Sequence, residues 1–300
     1  MRKAHAALGI AALALVLASC SYGILEGFGR PDPVGERIDE PGQRSSFATD
    51  KTLVEGNLTA GTAFTFIVSS DVHFGYKGGP RQAALSDFAD LAKTSNADFA
   101  LFGGDDADKG SEGEYQDFSA FADGLAPSAA TQLLLGTTRL PWFSAVGNHD
   151  LYNSGWGLFR KYVGPSYYVL SVGSVGIYVI DTGNGTLGEK QLERLGAAMS
   201  ADPRPKIVLS HYPIYGSDRF IYYRITNPRE RIELIDLFAR TRVVAVFVGH
   251  WHYPEESDVG PFIERVSGSL VDSDIDGKAH AWVVSVDATG TQVTATRHDF

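Results

Sequence analysis

Two histidines separated by a single residue, His250 and His252, close the stretch VVAVFVGHWHYPEE (residues 243–256). The apolar run before them reads as a buried strand that stops at Gly249. Burying a polar side chain without a partner costs a few kcal/mol, so each imidazole must meet water, a hydrogen-bond partner or a metal. The rest of the chain repeats the arrangement. AFTFIVSS (63–70) leads into Asp71-Val72-His73, and DFALFGG (98–104) into Asp105-Asp106-Ala107-Asp108. PWFSAVG (141–147) leads into Asn148-His149-Asp150, KIVLS (206–210) into His211, and RVVAVFVG (242–249) into His250-Trp251-His252. Five of the eight histidines therefore follow strand-like runs, in company with aspartates and an asparagine. An open α/β sheet presents the carboxyl ends of its strands along one edge, where ligands bind. Nitrogen and oxygen donors in this number, without a thiolate, exceed what one tetrahedral zinc takes. They suit two divalent ions with open positions, bridged by a shared carboxylate.

The elements that must position these groups show as an alternation. Between the strand-like runs, residues 81–95, 111–125, 187–199 and 227–241 carry apolar side chains at helical spacing. The last opens on Asn227 and Pro228, an N-cap and a first-turn proline. Strands alternating with helices predict an α/β domain. YYVLSVGSVGIYVIDT (167–182) and the C-terminal AWVVSVDATGTQVTATRHDF read as hairpins, so the sheets are expected to be mixed. Alternate residues on a strand face the same side, which predicts that His250 and His252 reach into one pocket. Gly104, Gly147 and Gly249 are expected to let the backbone turn sharply and approach closely.

Taken in order, SDVHFG, GGDDADKG, GNHD, SHYP and GHWH resemble the blocks of the calcineurin-like metallophosphoesterases, across roughly residues 64–252. The resemblance implies an α/β fold of two mixed β-sheets packed as a sandwich and flanked by helices. It implies that Asp71, His73 and His252 hold one divalent metal and that Asn148, His211 and His250 hold the other. Asp105 would bridge them together with a water or hydroxide. His149 would stabilise the transition state and protonate the leaving oxygen, with Asp150 fixing its tautomer and orientation. Asp108 would support the site from outside the ligand set. Two divalent ions are expected, with Mn, Fe and Zn all compatible with these donors. Val146 stands where protein Ser/Thr phosphatases carry an arginine that grips phosphate, which argues against a phosphoprotein phosphatase. Asp108 stands where purple acid phosphatases carry a metal-binding tyrosine, which argues against a tyrosinate-bound ferric site. The activity implied is hydrolysis of phosphomonoesters or phosphodiesters. The alternative is a non-catalytic metal-binding lipoprotein of the same fold, against which His149 speaks because structure needs only the ligands. Asp106 is read as a solvated loop acid and Asp181 as a turn or supporting acid. His280 and His298 are read as surface or satisfied strand histidines.

The chain has 300 residues, 44% of them hydrophobic, and a net charge of −10. The acidic balance argues against a nucleic-acid surface and against polybasic attraction to membranes. The single cysteine, Cys20, excludes an internal disulfide. It follows a short basic segment, MRK, and an apolar run that ends in LASC, which together read as a secretory signal. That ending resembles a bacterial lipobox, so residues 1–19 are expected to be a lipoprotein signal peptide and Cys20 the lipidation site. Residues 20–60, rich in Gly, Pro, Ser and charge, are expected to be a flexible tether, and 61–300 the metallophosphoesterase domain. The expected location is extracytoplasmic, at the periplasm or cell surface, on a bacterial membrane held through the lipid. The loops 151–162 and 212–227 are dense in aromatic residues beside arginine. Arg219, Arg224 and Trp251 are candidate contacts for a small, nucleotide-like phosphoester, although packing of the loops against the core is the preferred reading.

Overall fold

Phe64, Phe66 and Val68 pack to one side of their strand and Ile67 to the other, and all four are buried. A strand buried on both faces must lie between two layers, and the architecture follows from that requirement. The computed structural model describes residues 32–216 and 223–300. In chain order the first elements are α1 (Pro33–Arg37), α2 (Phe47–Asn57), β1 (Phe64–Ser69), α3 (Gln82–Thr94), β2 (Phe99–Phe102), α4 (Glu112–Asp123) and α5 (Ala129–Leu135). Then come β3 (Trp142–Ser144), α6 (Trp156–Tyr162), β4 (Tyr168–Val172), β5 (Val175–Val179), α7 (Glu189–Ala201) and β6 (Lys206–Leu209). The last are α8 (Pro228–Arg240), β7 (Val243–Val248), β8 (Glu255–Asp258), β9 (Ile263–Val266), β10 (His280–Val286) and β11 (Val293–Asp299).

One sheet has the order β11-β10-β1-β2-β3 and the other β4-β5-β6-β7-β9-β8. In the first, β1, β2 and β3 are parallel while β10 and β11 run antiparallel; in the second, β5, β6, β7 and β9 are parallel while β4 and β8 pair antiparallel. Both sheets are thus mixed, as the two hairpins predict. Phe66, Ile177, Leu209 and Phe247 meet between the sheets. The outer face of the first sheet packs on α3 and α4 through Phe88, Phe102 and Phe118, and that of the second on α7 and α8 through Leu195, Val246 and Phe238. Among the described residues no helix is long and apolar enough to cross a membrane. The strand pair β8–β9 and the short helices α5 and α6 carry no distinctive apolar period, and the sequence pattern does not predict them.

The largest departure is at the N-terminal side. Residues 33–58, expected as part of a flexible tether, are built into the fold: Val34, Val54 and Leu58 are fully buried. Charge does much of this work, which is why an apolar period misses it. Arg37 donates through Nε and Nη2 to both oxygens of buried Asp181, each at 2.9 Å. The Arg44 guanidinium lies 3.6 Å from the centre of the Trp142 ring and donates to the Trp142 carbonyl at 2.8 Å. Cys20 and residues 21–31 lie outside the described residues.

Lys206 is another charge that folding conceals. Its ammonium, on a fully buried residue, donates to the carbonyls of Asp202, Arg204 and Thr241 at 2.7, 2.8 and 2.7 Å. Asp202 and Thr241 follow α7 and α8, so one cation satisfies the chain at the carbonyl-rich ends of two helices. Lys206→Met strands those carbonyls and is expected to cost about 3–5 kcal/mol, measured as a lowered urea midpoint with an unchanged slope.

Candidate metal centre

Every parallel strand that carries a motif ends at the same edge, and the turns beyond them are strained. Asp71, His73, Asp105, His250 and His252 all have positive φ, between 48° and 68°. Non-glycine residues pay for that conformation, and it clusters where function demands a fixed side-chain aim. His250 and His252 lie beyond the end of β7, so strand alternation is not what aligns them; two left-handed turns do. Gly104 has φ 94°, and a Cβ there would come within 2.8 Å of the Gly147 nitrogen. At Gly147 a Cβ would fall 2.2 Å from Asp105 Oδ1. Only glycines let these two loops touch.

The turns deliver two groups of donors that share no residue, and a third, His73, Asp108 and His149, that overlaps the first. Asp71, His73 and His252 offer ligand atoms that all lie within 4.8 Å of one another, and so do Asp105, His211 and His250. In the first group, His73 Nε2 and His252 Nε2 are 3.0 Å apart, and Asp71 Oδ1 lies 3.3 Å from His252 Nε2. Asp71 Oδ1 is buried with no hydrogen-bond partner. In the second, His211 Nδ1 donates to the Gly103 carbonyl at 2.8 Å, which leaves Nε2 facing Asn148 Oδ1 at 3.1 Å and Asp105 Oδ2 at 3.3 Å. Asp105 Oδ2 is also 3.7 Å from His73 Nε2, so this one carboxylate oxygen lies between the groups. Lone pairs converging in this way without their own donors fit divalent cations, and the orienting bond on His211 fixes the tautomer a ligand needs.

A model of the calcineurin-like phosphoesterase family matches residues 64–254, which include every donor just named. The chain belongs to this family. Among solved structures it is similar to a purple acid phosphatase from yellow lupin (Lupinus luteus) seeds, with a TM-score of 0.54 and 13% identity over 79% of this chain and 54% of that one. It spans about half of the lupin protein's length. It is also similar to the anchor in the inner membrane complex of Plasmodium (TM-score 0.50, 15% identity, 79% and 88% of the two chains) and to a dimetal phosphatase from Danio rerio (0.49, 12%, 77% and 98%). The likeness is one of fold, two mixed sheets with flanking helices. No curated protein sequence matches the chain significantly.

At this edge His149 and Asp150 have separate partners. His149 Nδ1 faces the Asp108 carbonyl at 2.7 Å and so must donate to it, with Asp108 Oδ1 at 3.5 Å. The side chain is partly exposed at 29%. Asp150 does not orient His149. Its carboxylate accepts from the backbone nitrogens of Asp105 and Gly147 at 2.9 Å and of Ala107 at 3.2 Å, and from the Tyr115 hydroxyl at 3.2 Å. It ties together two ligand loops; burial and the Asp105 charge push it up to about 7, against the pull of the Gly147 and Ala107 hydrogen bonds. Asp106 is fully buried rather than solvated, and burial with the Asp150 charge holds it well above the carboxylate range. Asp181 proves to be the partner of Arg37, and buried His280 is satisfied by Asp276 and Asp299.

Arg224 donates to the Tyr215 carbonyl at 3.0 Å, closing its loop on itself. Trp251 packs against the core beneath the second sheet and against Tyr223, at 4.6 Å between ring centres. Arg219 lies outside the described residues. Sequence reasoning missed Thr182, whose hydroxyl accepts from the nitrogens of His211 and Tyr212 at 3.2 and 3.0 Å. Its one signal is a place just after a strand-like run, beside Asp181.

The electrostatics predict how the metal-free protein behaves. Burial lowers the His211 imidazole, but the Asp105 and Asp71 carboxylates outweigh it and hold the group up at about 9. Burial brings His73 down to about 4 and His250 to about 3, so both are neutral ligands at pH 7. A raised imidazole stabilises the fold fully below its ordinary 6.5 and loses that contribution as pH climbs through about 9. Chelator-treated protein is therefore expected to weaken between pH 6.5 and 9, and metal uptake at pH 7.5 to release protons, read by calorimetry in buffers of different ionisation heat. Flat stability and no proton release would contradict this. Separately, Asp150→Asn places an amide against backbone N–H groups and is expected to cost about 2–3 kcal/mol and to lower bound metal per chain, measured by unfolding and elemental analysis.

Proposed function

We propose that the chain hydrolyses phosphoester bonds with two divalent cations, one held by Asp71, His73 and His252, the other by Asn148, His211 and His250, and both touched by Asp105. The observation that carries this reading is the single oxygen, Asp105 Oδ2, placed between His211 Nε2 and His73 Nε2 at 3.3 and 3.7 Å. Cations so held would supply Lewis acidity and a water acidic enough to serve as nucleophile near neutral pH. The chain's own part is to aim and to move a proton. Asp105 Oδ1 accepts from the His149 nitrogen at 2.8 Å, which locks the histidine's backbone to the central carboxylate. The Asp108 carbonyl fixes His149 as the Nδ1–H tautomer, and the ring stands 4.6 Å from that of His73. In that position its Nε2, once protonated, can serve the leaving oxygen.

A lipid on Cys20 would place this chemistry outside the cytoplasm, with small phosphoesters at a bacterial membrane as substrates. What supports the location is the leader MRK…LASC with the only cysteine at its end. A nucleotide-like leaving group is supported by the aromatic residues beside the site, Tyr152 at 4.6 Å from His149 and Tyr212 at 3.9 Å from His250 between ring centres.

The test strips the full chain of metal and refills it with Mn²⁺, Zn²⁺ or Fe²⁺. Turnover of bis(p-nitrophenyl) phosphate and of p-nitrophenyl phosphate is then compared. His149→Ala is expected to retain two metals while losing about 10²–10⁴-fold in kcat. Loss of metal without loss of turnover would remove His149 from this role. Absence of turnover in the metal-loaded wild type on both substrates would favour a metal-binding protein without catalysis.

A further inference from the structure

We propose that the N-terminal strap is part of the metal site: Arg37, acting through Asp181 and Thr182, positions His211 and so sets the affinity for the cation assigned to Asn148, His211 and His250. This rests on the two-cation reading above. The strap lies outside residues 64–254, the span that the family model matches.

The connection is short and buried. The Asp32 side chain caps α1 by accepting from Gly35 N at 2.8 Å, and Arg37 emerges from the last turn to grip Asp181 at two points. The two side chains are 9% and 0% exposed, and Arg37 is the only cation paired with Asp181 among the described residues. Asp181 follows β5 at the edge that bears the metal groups. Its Oδ1 also accepts from Gly183 N at 3.1 Å, and Gln191 bonds both its backbone nitrogen and its carbonyl. The residues fixed in this way do two things. Thr182 Oγ1 receives the nitrogens of His211 and Tyr212 and lies 2.9 Å from Ser210 Oγ. Gly183 sits so close to the neighbouring loop that a Cβ on it would meet the Gly147 carbonyl at 3.0 Å. The segment 181–183 therefore supports His211 directly and abuts the turn that presents Asn148, two of the three ligands of one cation.

The strap also reaches the other sheet's side of the edge. Gln43 N donates to the Arg160 carbonyl at 2.7 Å, Arg160 pairs with Glu40, and the Arg37 and Arg160 guanidinium groups each lie 5.9 Å from the Trp156 ring centre. Arg160 and Trp156 belong to α6, which follows the turn that carries His149. A guanidinium fork matched to a carboxylate fixes direction as well as charge. Without it Asp181 would be a buried, uncompensated anion that must turn toward water, and the hydroxyl behind His211 would turn with it. Among the described residues no hydrogen bond or ion pair links Asp71, His73 or His252 to the strap in this way, so the effect falls on one cation.

The test is a competitive chelator titration of Zn²⁺ into the metal-stripped full chain, resolving the two affinities. Partners that orient a metal ligand are commonly worth about 10–100-fold in affinity. Arg37→Met is expected to weaken one binding step at least tenfold, with the other step changed less than about twofold, and Arg37→Lys to fall between. Val54→Ala, a core truncation on α2 that touches none of these residues, is the control for general loss of stability and is expected to leave both steps unchanged. Equal weakening of both steps, or weakening by Val54→Ala to the same degree, would overturn the proposal, as would unchanged affinity in Arg37→Met. If Arg37→Met does not fold, Arg37→Met/Asp181→Leu, which exchanges the buried pair for apolar groups, carries the test, and wild-type affinity in it would overturn the proposal. A wild-type chain that takes up fewer than two ions fails the two-cation reading itself, before any variant is compared.

Discussion

Four carboxylates, those of Asp71, Asp105, Asp106 and Asp150, are buried together at one sheet edge, none more than 1% exposed. Anions withdrawn from water must be neutralised, paired or saturated with hydrogen bonds, and each of these meets the demand differently. Asp106 keeps its proton, since burial and the Asp150 charge raise it well above the usual range. Asp150 is saturated by three backbone N–H groups and the Tyr115 hydroxyl. Asp71 and Asp105 face imidazoles, and burial notwithstanding, His252 and His211 hold both carboxyls below their ordinary value. The rest of the edge, with its left-handed turns and closely packed glycines, serves this concentration of negative charge.

That arrangement explains why the site suits cations. Without one, Asp71 and Asp105 are balanced by protons on histidines, His211 being held up at about 9. A divalent ion replaces such protons with a larger charge and uses lone pairs that are already aligned. The protein keeps them aligned from behind: the Gly103 carbonyl holds His211, Asp71 Oδ2 accepts from His250 N at 2.9 Å, and Asp150 spans the loops that carry Asp105 and Asn148. The division of labour between Asp150 and Asp108 follows from burial. Asp150 is fully enclosed and addresses the backbone, whereas the Asp108 carbonyl faces a histidine that remains partly exposed.

Much of the fold and the centre of the site were legible in the chain. The parallel strands β1, β2, β3, β6 and β7 are continuous apolar runs because both of their faces are covered, and the donors stand directly after them. Helices with apolar stripes, such as Gln82–Thr94 and Pro228–Arg240, were equally plain. What escaped was structure held by charge. Pro33–Arg37 is five residues long and docks through a guanidinium 144 positions from its partner, a distance no local pattern reports. The β8–β9 pair, reading EESD and IERV, carries charged residues on both faces and is short, so no apolar alternation distinguishes it from a loop.

The sequence by itself determined which side chains are present, their order after the strands, and the layers that apolar periodicity demands. These are local properties, because periodicity and turn chemistry act over a few residues. Only the tertiary structure decided that Asp150 organises backbone while Asp108 addresses His149, that Asp106 is sealed from water, and that residues 33–58 belong to the folded body rather than to a tether. Those outcomes depend on burial and on partners brought from distant parts of the chain. The free energy of a charge is set by what surrounds it in space, and adjacency in sequence does not fix that.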